Sequence, residues 1–224
     1  MKTNANTSKD SPPPQVRLCL SDNDWVAKLA AFDLLKEVVK RIKVKRENIR
    51  ILGTCEAVVC GTRLRKEYGA SMVNAAKEFI NSVTILEDDA IDDGDFIRLT
   101  DAGIDGGEAQ LFASKLEGFC IIATDDKRAM MRLATIPTLA DIHKRTVGRV
   151  LCVEHAILMV AEVYGYAYVD ERIRNISWAD DKVLQVWAGG KGQQPKEALK
   201  LIRSHIDDLN RSTNGLMFDP SRGL

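Results

Sequence analysis

Hydrophobic positions along this chain fall into two kinds of run. Short, mostly apolar stretches occur at Val16-Arg17-Leu18-Cys19-Leu20, Asn48-Ile49-Arg50-Ile51-Leu52-Gly53, Val83-Thr84-Ile85-Leu86 and Phe119-Cys120-Ile121-Ile122-Ala123. The last has no alternation and is too short for a helix, which predicts a parallel strand covered on both faces. Between these stretches apolar residues recur at helical spacing. Trp25, Val26, Leu29, Ala30, Leu34, Leu35, Val38 and Val39 predict a helix from about Asp24 to Ile42. Thr54 as N-cap predicts a second from Cys55 to about Tyr68, ended by Gly69, and Met72, Val73, Ala76, Phe79 and Ile80 mark a third over Ala70 to Asn81. Gly106 to Lys115 reads as a helix opening on Glu108, followed by a turn at Gly118, and a further helix starts at Asp125 or Asp126. Val150 to Tyr164 predicts a long apolar helix, and Tyr166-Ala167-Tyr168-Val169 reads as a fifth strand or a turn. Strands alternating with helices predict a three-layer α/β/α sandwich on a mostly parallel sheet of four or five strands. The first strand is expected at the centre, beside Phe119 to Ala123.

Carboxylates gather where two of these strands stop. One ends in Ser21-Asp22-Asn23-Asp24 and the other in Thr124-Asp125-Asp126. Taken singly, each group is explained by helix capping, because Thr and Asp accept from free N–H groups and Asp favours the positive end of the helix dipole. Taken together on neighbouring strands, they place four acids on the carboxyl edge of the sheet, where open α/β sheets bind ligands. Crowded carboxylates repel one another unless a cation compensates, and Mg²⁺ or Mn²⁺ accepts such oxygen ligands.

Leu18-Cys19-Leu20-Ser21-Asp22-Asn23-Asp24-Trp25-Val26-Ala27-Lys28-Leu29 resembles the opening of the PIN domain family of metal-dependent nucleases. Gly107-Glu108-Ala109-Gln110-Leu111-Phe112-Ala113 resembles the family's third acidic position in its Gly-Glu-Ala form, and Ile122-Ala123-Thr124-Asp125-Asp126 resembles its closing strand and acid. Order and spacing fit over roughly residues 16 to 170. The chain departs from the family pattern at Asp24, where Asn or Ser is usual, and no motif marks the second acid. In the family that acid comes from a helix after the second strand, which makes Glu56 the candidate; a favourable first-turn carboxylate explains Glu56 equally well. The resemblance implies a Mg²⁺- or Mn²⁺-dependent phosphodiesterase acting on RNA or another nucleic acid. Asp22, Glu56, Glu108 and Asp126 would be its catalytic acids, and the metal site would be formed by Asp22, Glu108 and Asp126 with Asp24 and Asp125 as supporting acids of the same site.

Composition narrows this picture. A chain of 224 residues, 45% of them hydrophobic, has the apolar content for one sizeable core plus an appendage. No run of eighteen apolar residues suits a membrane span, and Met1 to Pro14 carries Lys2, Lys9 and three consecutive prolines where a signal peptide needs an apolar core. A cytoplasmic protein that does not bind membranes is expected. Five cysteines without a Cys-x-x-Cys pair argue against a disulfide framework or a zinc site, and Cys19 and Cys120 fall inside strands as buried thiols. The three histidines are isolated, and His155, within the apolar stretch, reads as a packed, hydrogen-bonded residue.

Charge places the expected substrate side. Lys127, Arg128 and Arg132 follow the closing acids directly and are the candidate phosphate contacts, although an exposed helix face accounts for them as well. Lys40-Arg41-Ile42-Lys43-Val44-Lys45-Arg46 ends the first helix, and that places it at the opposite edge. Glu87-Asp88-Asp89-Ala90-Ile91-Asp92-Asp93-Gly94-Asp95 lacks the spacing of a calcium loop and reads as a solvated loop. The organisation expected is a tail over 1–14, a PIN-like domain over 15–170 and a mostly helical extension over 171–224. The extension contains a patch around Trp178 and Trp187, a loop at Gly189 to Pro195 and a helix from Pro195 to Asn210. It would pack on the domain or carry a homodimer or regulatory-partner contact. Zero formal net charge supports an alternative from another class: a PIN-like module that binds or regulates without catalysis. A phosphatase is a third reading, and Asp22-Asn23-Asp24 matches its nucleophile motif poorly.

Overall fold

The computed structural model describes residues 18–115, 118–174 and 195–219. Five strands, β1 (Leu18–Ser21), β2 (Ile49–Ile51), β3 (Thr84–Ile85), β4 (Cys120–Ala123) and β5 (Val150–Leu151), form one parallel sheet in the order β3-β2-β1-β4-β5. β1 is central. Its last residue, Ser21, stands level with Ile51 of β2 and Ala123 of β4, so the three strands stop together. Sequence-distant strands are neighbours because each is followed by a helical crossover, the connection a parallel pair requires.

Helices cover both faces of the central strands, and β1, β4 and β5 therefore lack alternation, while β3 at the far edge is exposed. Cys19, Ile121, Ala123 and Leu151 enter one core, packed by α1 (Asn23–Ala31), α2 (Leu35–Ile42), α3 (Cys55–Val59), α4 (Thr62–Tyr68) and α5 (Ala70–Ile80). Leu20, Cys120, Ile122 and Val150 enter the other, packed by α6 (Asp93–Asp101), α7 (Gly106–Ala113), α8 (Lys127–Thr135) and α9 (Ala140–Thr146). Successive strand residues point to opposite faces, so the buried central strands supply apolar residues to both cores. α10 (Val153–Tyr164) and α11 (Tyr166–Arg174) extend the first core.

The C-terminal segment is integral to this unit. α12 (Pro195–Ser212) places Ile202 and Ile206 in the first core and Leu209 in the second. Beyond it, Met217 bridges to Val150, and the Phe218 N–H donates to the Val150 carbonyl at 2.8 Å. This covers the outer edge of β5, which would otherwise offer unpaired backbone groups. A boundary at residue 170 thus falls inside α11, and the described part of 171–224 is not a separate extension. Residues 1–14, Trp178, Trp187 and the loop at 189–194 lie outside the described residues.

Local chemistry corrects several expected elements. The helix over Asp24 to Ile42 is two, because the chain turns at Asp33 (φ 53°) and the Leu34 N–H returns to the Leu29 carbonyl at 2.9 Å. The helix over Cys55 to Tyr68 also breaks, at Gly61, where a Cβ would stand 2.8 Å from the Ala57 carbonyl oxygen. Val150 and Leu151 form β5 rather than the start of a helix, and Tyr166 to Val169 are helical, neither strand nor turn. The acidic run is only partly loop: the Asp92 carboxylate accepts from the Asp95 N–H at 3.0 Å and caps α6, with Asp93 and Asp95 in the favourable first turn. Among the described residues no helix is long and apolar enough to cross a membrane.

Candidate active site

The carboxyl edge of the sheet begins at Asp22, whose N–H donates to the Ala123 carbonyl at 2.8 Å and so ties the end of β1 to the end of β4. Its carboxylate N-caps α1, accepting from the Asn23 N–H at 2.6 Å and the Asp24 N–H at 3.2 Å. Asp126 repeats the device on α8: one oxygen accepts from the Arg128 and Ala129 N–H groups at 2.8 and 3.0 Å. Capping and clustering therefore coexist in the same side chains. Glu108 sits in the first turn of α7, itself capped by Asp105, and is buried despite its charge.

These acids feel one another. Burial pushes the Asp22 carboxyl up to about 7, and the charges of Asp24 and then Asp125 add to the effect against its two backbone donors. Burial pushes Glu108 up to about 8, with further upward pressure from Asp22, Asp126 and Asp105. Asp22, Glu108 and Asp126 thus form one electrostatic group drawn from α1, α7 and α8, with Asp24 at its side. None of the three has an ion-pair partner among the described residues.

Asp125 belongs elsewhere. Its Oδ2 lies 2.5 Å from Lys28 Nζ and its Oδ1 3.2 Å from Lys127 Nζ. Lys127 also lies 2.7 Å from Oε1 of Glu154, and His205 Nε2 approaches the same oxygen at 3.2 Å. These contacts at Oε1 are ion pairs rather than aligned hydrogen bonds, and Oε2 is buried without a hydrogen-bond partner. Burial works against the charge of Glu154, yet His205 and Lys127 hold its carboxyl below the usual range. Burial and Glu154 push Asp125 up, while Lys127 and Lys28 pull it back. Lys127 is therefore engaged by two buried carboxylates of the protein itself.

No family model, no curated protein and no solved structure matches the chain. The remaining sequence candidates are placed by geometry alone. Glu56 is exposed in the first turn of α3, and the groups its charge reaches are Cys55 and Cys60. It does not enter the buried acidic group, although α3 starts beside α1, where Asn23 Nδ2 donates to Thr54 Oγ1 at 3.2 Å. Arg128 and Arg132 are exposed and line a cleft of about 330 Å³ with Gly103, Ile104, Asp105, Asp126 and Ala129. Arg132 donates to the Ala102 carbonyl at 2.8 Å and lies over Gly103, where φ is +77° and any Cβ would meet its guanidinium. The basic run Lys40 to Arg46 immediately precedes β2 and so lies at the opposite, amino edge.

Glu154, Lys28 and His205 were not singled out by sequence reasoning. Glu154 repeats the pattern of strand then acid for a third time, after β5, and only the misreading of Val150-Leu151 as helix hid it. All five cysteines are free, and burial pushes Cys19 and Cys120 up to about 12, which makes them inert packing groups. His155 is buried against Cys152, with Nδ1 and Sγ 3.2 Å apart, and burial holds its imidazole down at about 4.

A divalent metal suits the acidic group in kind but is not pre-assembled. Asp22, Glu108 and Asp126 offer oxygen donors only, the preference of Mg²⁺ and Mn²⁺, and a cation would relieve the repulsion that raises Asp22 and Glu108. Among the described residues, however, no three His, Cys, Asp or Glu side chains converge closely enough to hold an ion. The donor chemistry fits.

Proposed function

We propose that this protein is a Mg²⁺- or Mn²⁺-dependent nuclease that hydrolyses phosphodiester bonds in RNA, with Asp22, Glu108 and Asp126 as its metal ligands. The observation that carries the reading is the gathering of buried Asp22, buried Glu108 and half-buried Asp126, with Glu108 raised by burial and then by the charges of the other two and without ion-pair partners among the described residues, at the edge where β1 and β4 end. A bound divalent cation supplies Lewis acidity and a water of lowered pKa. The chain's own contribution is placement. Two backbone N–H groups fix each of Asp22 and Asp126, Asp24 adds negative potential beside Asp22, and Arg128 and Arg132 line the adjoining cleft as contacts for phosphate oxygens.

A second reading is favoured by the dispersal of the acids and the exposure of Glu56: a PIN-like module that binds RNA or a partner without cutting. Incubation of the full chain with end-labelled single-stranded RNA in Mn²⁺, in Mg²⁺ and in chelator separates the two. Cation-dependent cleavage that disappears in Asp22→Asn supports the nuclease. Binding without cleavage in either cation supports the module.

A further inference from the structure

A cavity of about 460 Å³ shares no residue with the acidic edge and is larger than the cleft beside Asp126. It opens between α10, α12, the segment that runs along β5 and the end of α2, and its size falls in the range of about 300–1,000 Å³ that small-molecule sites occupy. Leu158, Met159, Ile206 and Met217 give it an apolar wall. Three polar side chains on that wall have bonding capacity to spare among the described residues. Arg41 makes no ion pair, and its Nε is shut from water without a hydrogen bond. Asp207, carried by α12, makes no ion pair either. The His155 ring is 3% exposed and turns Nδ1 to the Cys152 Sγ at 3.2 Å, which leaves Nε2 for the cavity. Glu162 and Arg203, on the rim, neutralise each other at 3.0 Å, and Asp219 is engaged already.

The two free charges restrict what this cavity can hold. An anion at Arg41 would share the cavity with the Asp207 carboxylate, and a cation at Asp207 would share it with the Arg41 guanidinium, so a ligand of one sign is opposed by a fixed charge. A molecule that carries both signs meets a complement at each, and the planar guanidinium suits a carboxylate. The wall between them asks for an apolar body. We infer that the cavity binds a small zwitterion with an apolar side chain, an aliphatic α-amino acid or a dipeptide of such residues, with its carboxylate at Arg41 and its ammonium at Asp207. His155 Nε2 serves the polar head of the ligand. The site stands independently of the nuclease reading. It nevertheless adjoins the buried charges, because His155 follows Glu154 and Ile206 follows His205, and the Glu154–His205 contact leads on to Lys127. A bound ligand therefore braces α12 against α10.

Calorimetric titration of the full chain tests this with L-leucine and L-leucyl-L-leucine. The N-acetylated form of each, which lacks the ammonium, and the amide of each, which lacks the carboxylate, are titrated beside them. Saturable one-to-one binding of at least one zwitterion is expected, and loss of either ligand charge should weaken it by about tenfold or more. Arg41→Gln should weaken the zwitterion by a similar factor without weakening its amide, and Asp207→Asn should do so without weakening its N-acetylated form. No saturable binding of either zwitterion up to about 10 mM overturns the inference. So does a singly charged form that binds as tightly as its zwitterion, or zwitterion affinity unchanged in both variants. The ligand series needs no variant, and it decides by itself if either substitution prevents folding.

Discussion

Two groups of acids occupy one edge of the sheet and have opposite electrostatic lives. Asp22 and Glu108 are buried among other carboxylates and are raised to about 7 and about 8. Glu154 is buried at least as deeply, yet it is held low because His205 and Lys127 stand against it. Burial alone therefore does not decide whether an acid is strained; the charge carried by neighbouring helices does. On the metal-dependent reading the repulsion in the first group would favour a cation, whereas the second group is already balanced by Lys28, Lys127 and His205.

The largest effect expected from this division is on rate. If the nuclease reading holds, Asp22→Asn and Glu108→Gln should each lower cation-dependent RNA cleavage by about a thousandfold or more, about 4 kcal/mol of transition-state stabilisation. Single-turnover cleavage at saturating Mn²⁺ measures it, and a loss below tenfold for both would remove these residues from the chemistry.

The same substitution should have opposite signs of stability in the two groups. Glu154→Gln leaves Lys127 with one carboxylate partner fewer in a buried site, and should destabilise the chain by about 3 kcal/mol. Asp22→Asn retains a competent N-cap and removes a repelled charge, and should stabilise the cation-free chain by about 2 kcal/mol at pH 8. Urea unfolding of the variants in chelator gives both numbers. Equal signs would erase the distinction.

The pH dependence sharpens the same contrast. Asp22 and Glu108 have folded values raised above the ordinary carboxylate value, so their stabilising contribution is complete below about pH 4 and is lost as pH rises through about 7 and about 8. His155 is lowered to about 4, so its contribution is complete above the usual imidazole value and is lost as pH falls through 4. Between pH 6.5 and 8 the carboxylates therefore dominate, and cation-free stability should fall by up to about 1.4 kcal/mol per pH unit for each group. Glu108→Gln should flatten that slope. A rise in stability across the window would mean that the acids are not crowded.

How much of this was legible in the sequence depended on where each contact reaches. β1 and β4 were readable because near-continuous burial leaves apolar runs, β2 and β3 because each short run stands between helical patterns, and the order with β1 beside β4 followed from their shared acidic ends. β5 was not, because its two residues, Val150 and Leu151, merge into the apolar periodicity of α10. The break at Asp33 was invisible for a similar reason: Leu34 and Leu35 keep helical spacing across it. Asp22, Glu108 and Asp126 could be found because each stands at a helix start. The pairing of Asp125 could not, since Lys28 lies 97 residues away in sequence and periodicity says nothing about which exposed lysine folds inward. Lys127 shows the same limit, having been placed toward substrate by proximity to the acids when Glu154 holds it inside.

The smallest expected effect concerns the substrate path, and it asks which basic residues are free to serve it. With Lys127 committed to Asp125 and Glu154, the cleft beside Asp126 is left to Arg128 and Arg132. Lys43, Lys45 and Arg46 stand before β2 at the far edge. Phosphate contacts weaken binding evenly across sequences when removed, and each lowers the salt slope by about one. Arg128→Ala with Arg132→Ala should therefore weaken RNA binding at low salt and reduce the slope of log K against log salt by about two. Neutralising Lys43, Lys45 and Arg46 should leave both unchanged. Gly103→Ala should behave as a mild version of the Arg132 change, because its Cβ would stand 2.7 Å from the Arg132 guanidinium and displace it. Binding isotherms in chelator at several salt concentrations measure all three. Dominance of the far-edge lysines would move the nucleic acid to the other side of the sheet, away from every acid discussed above.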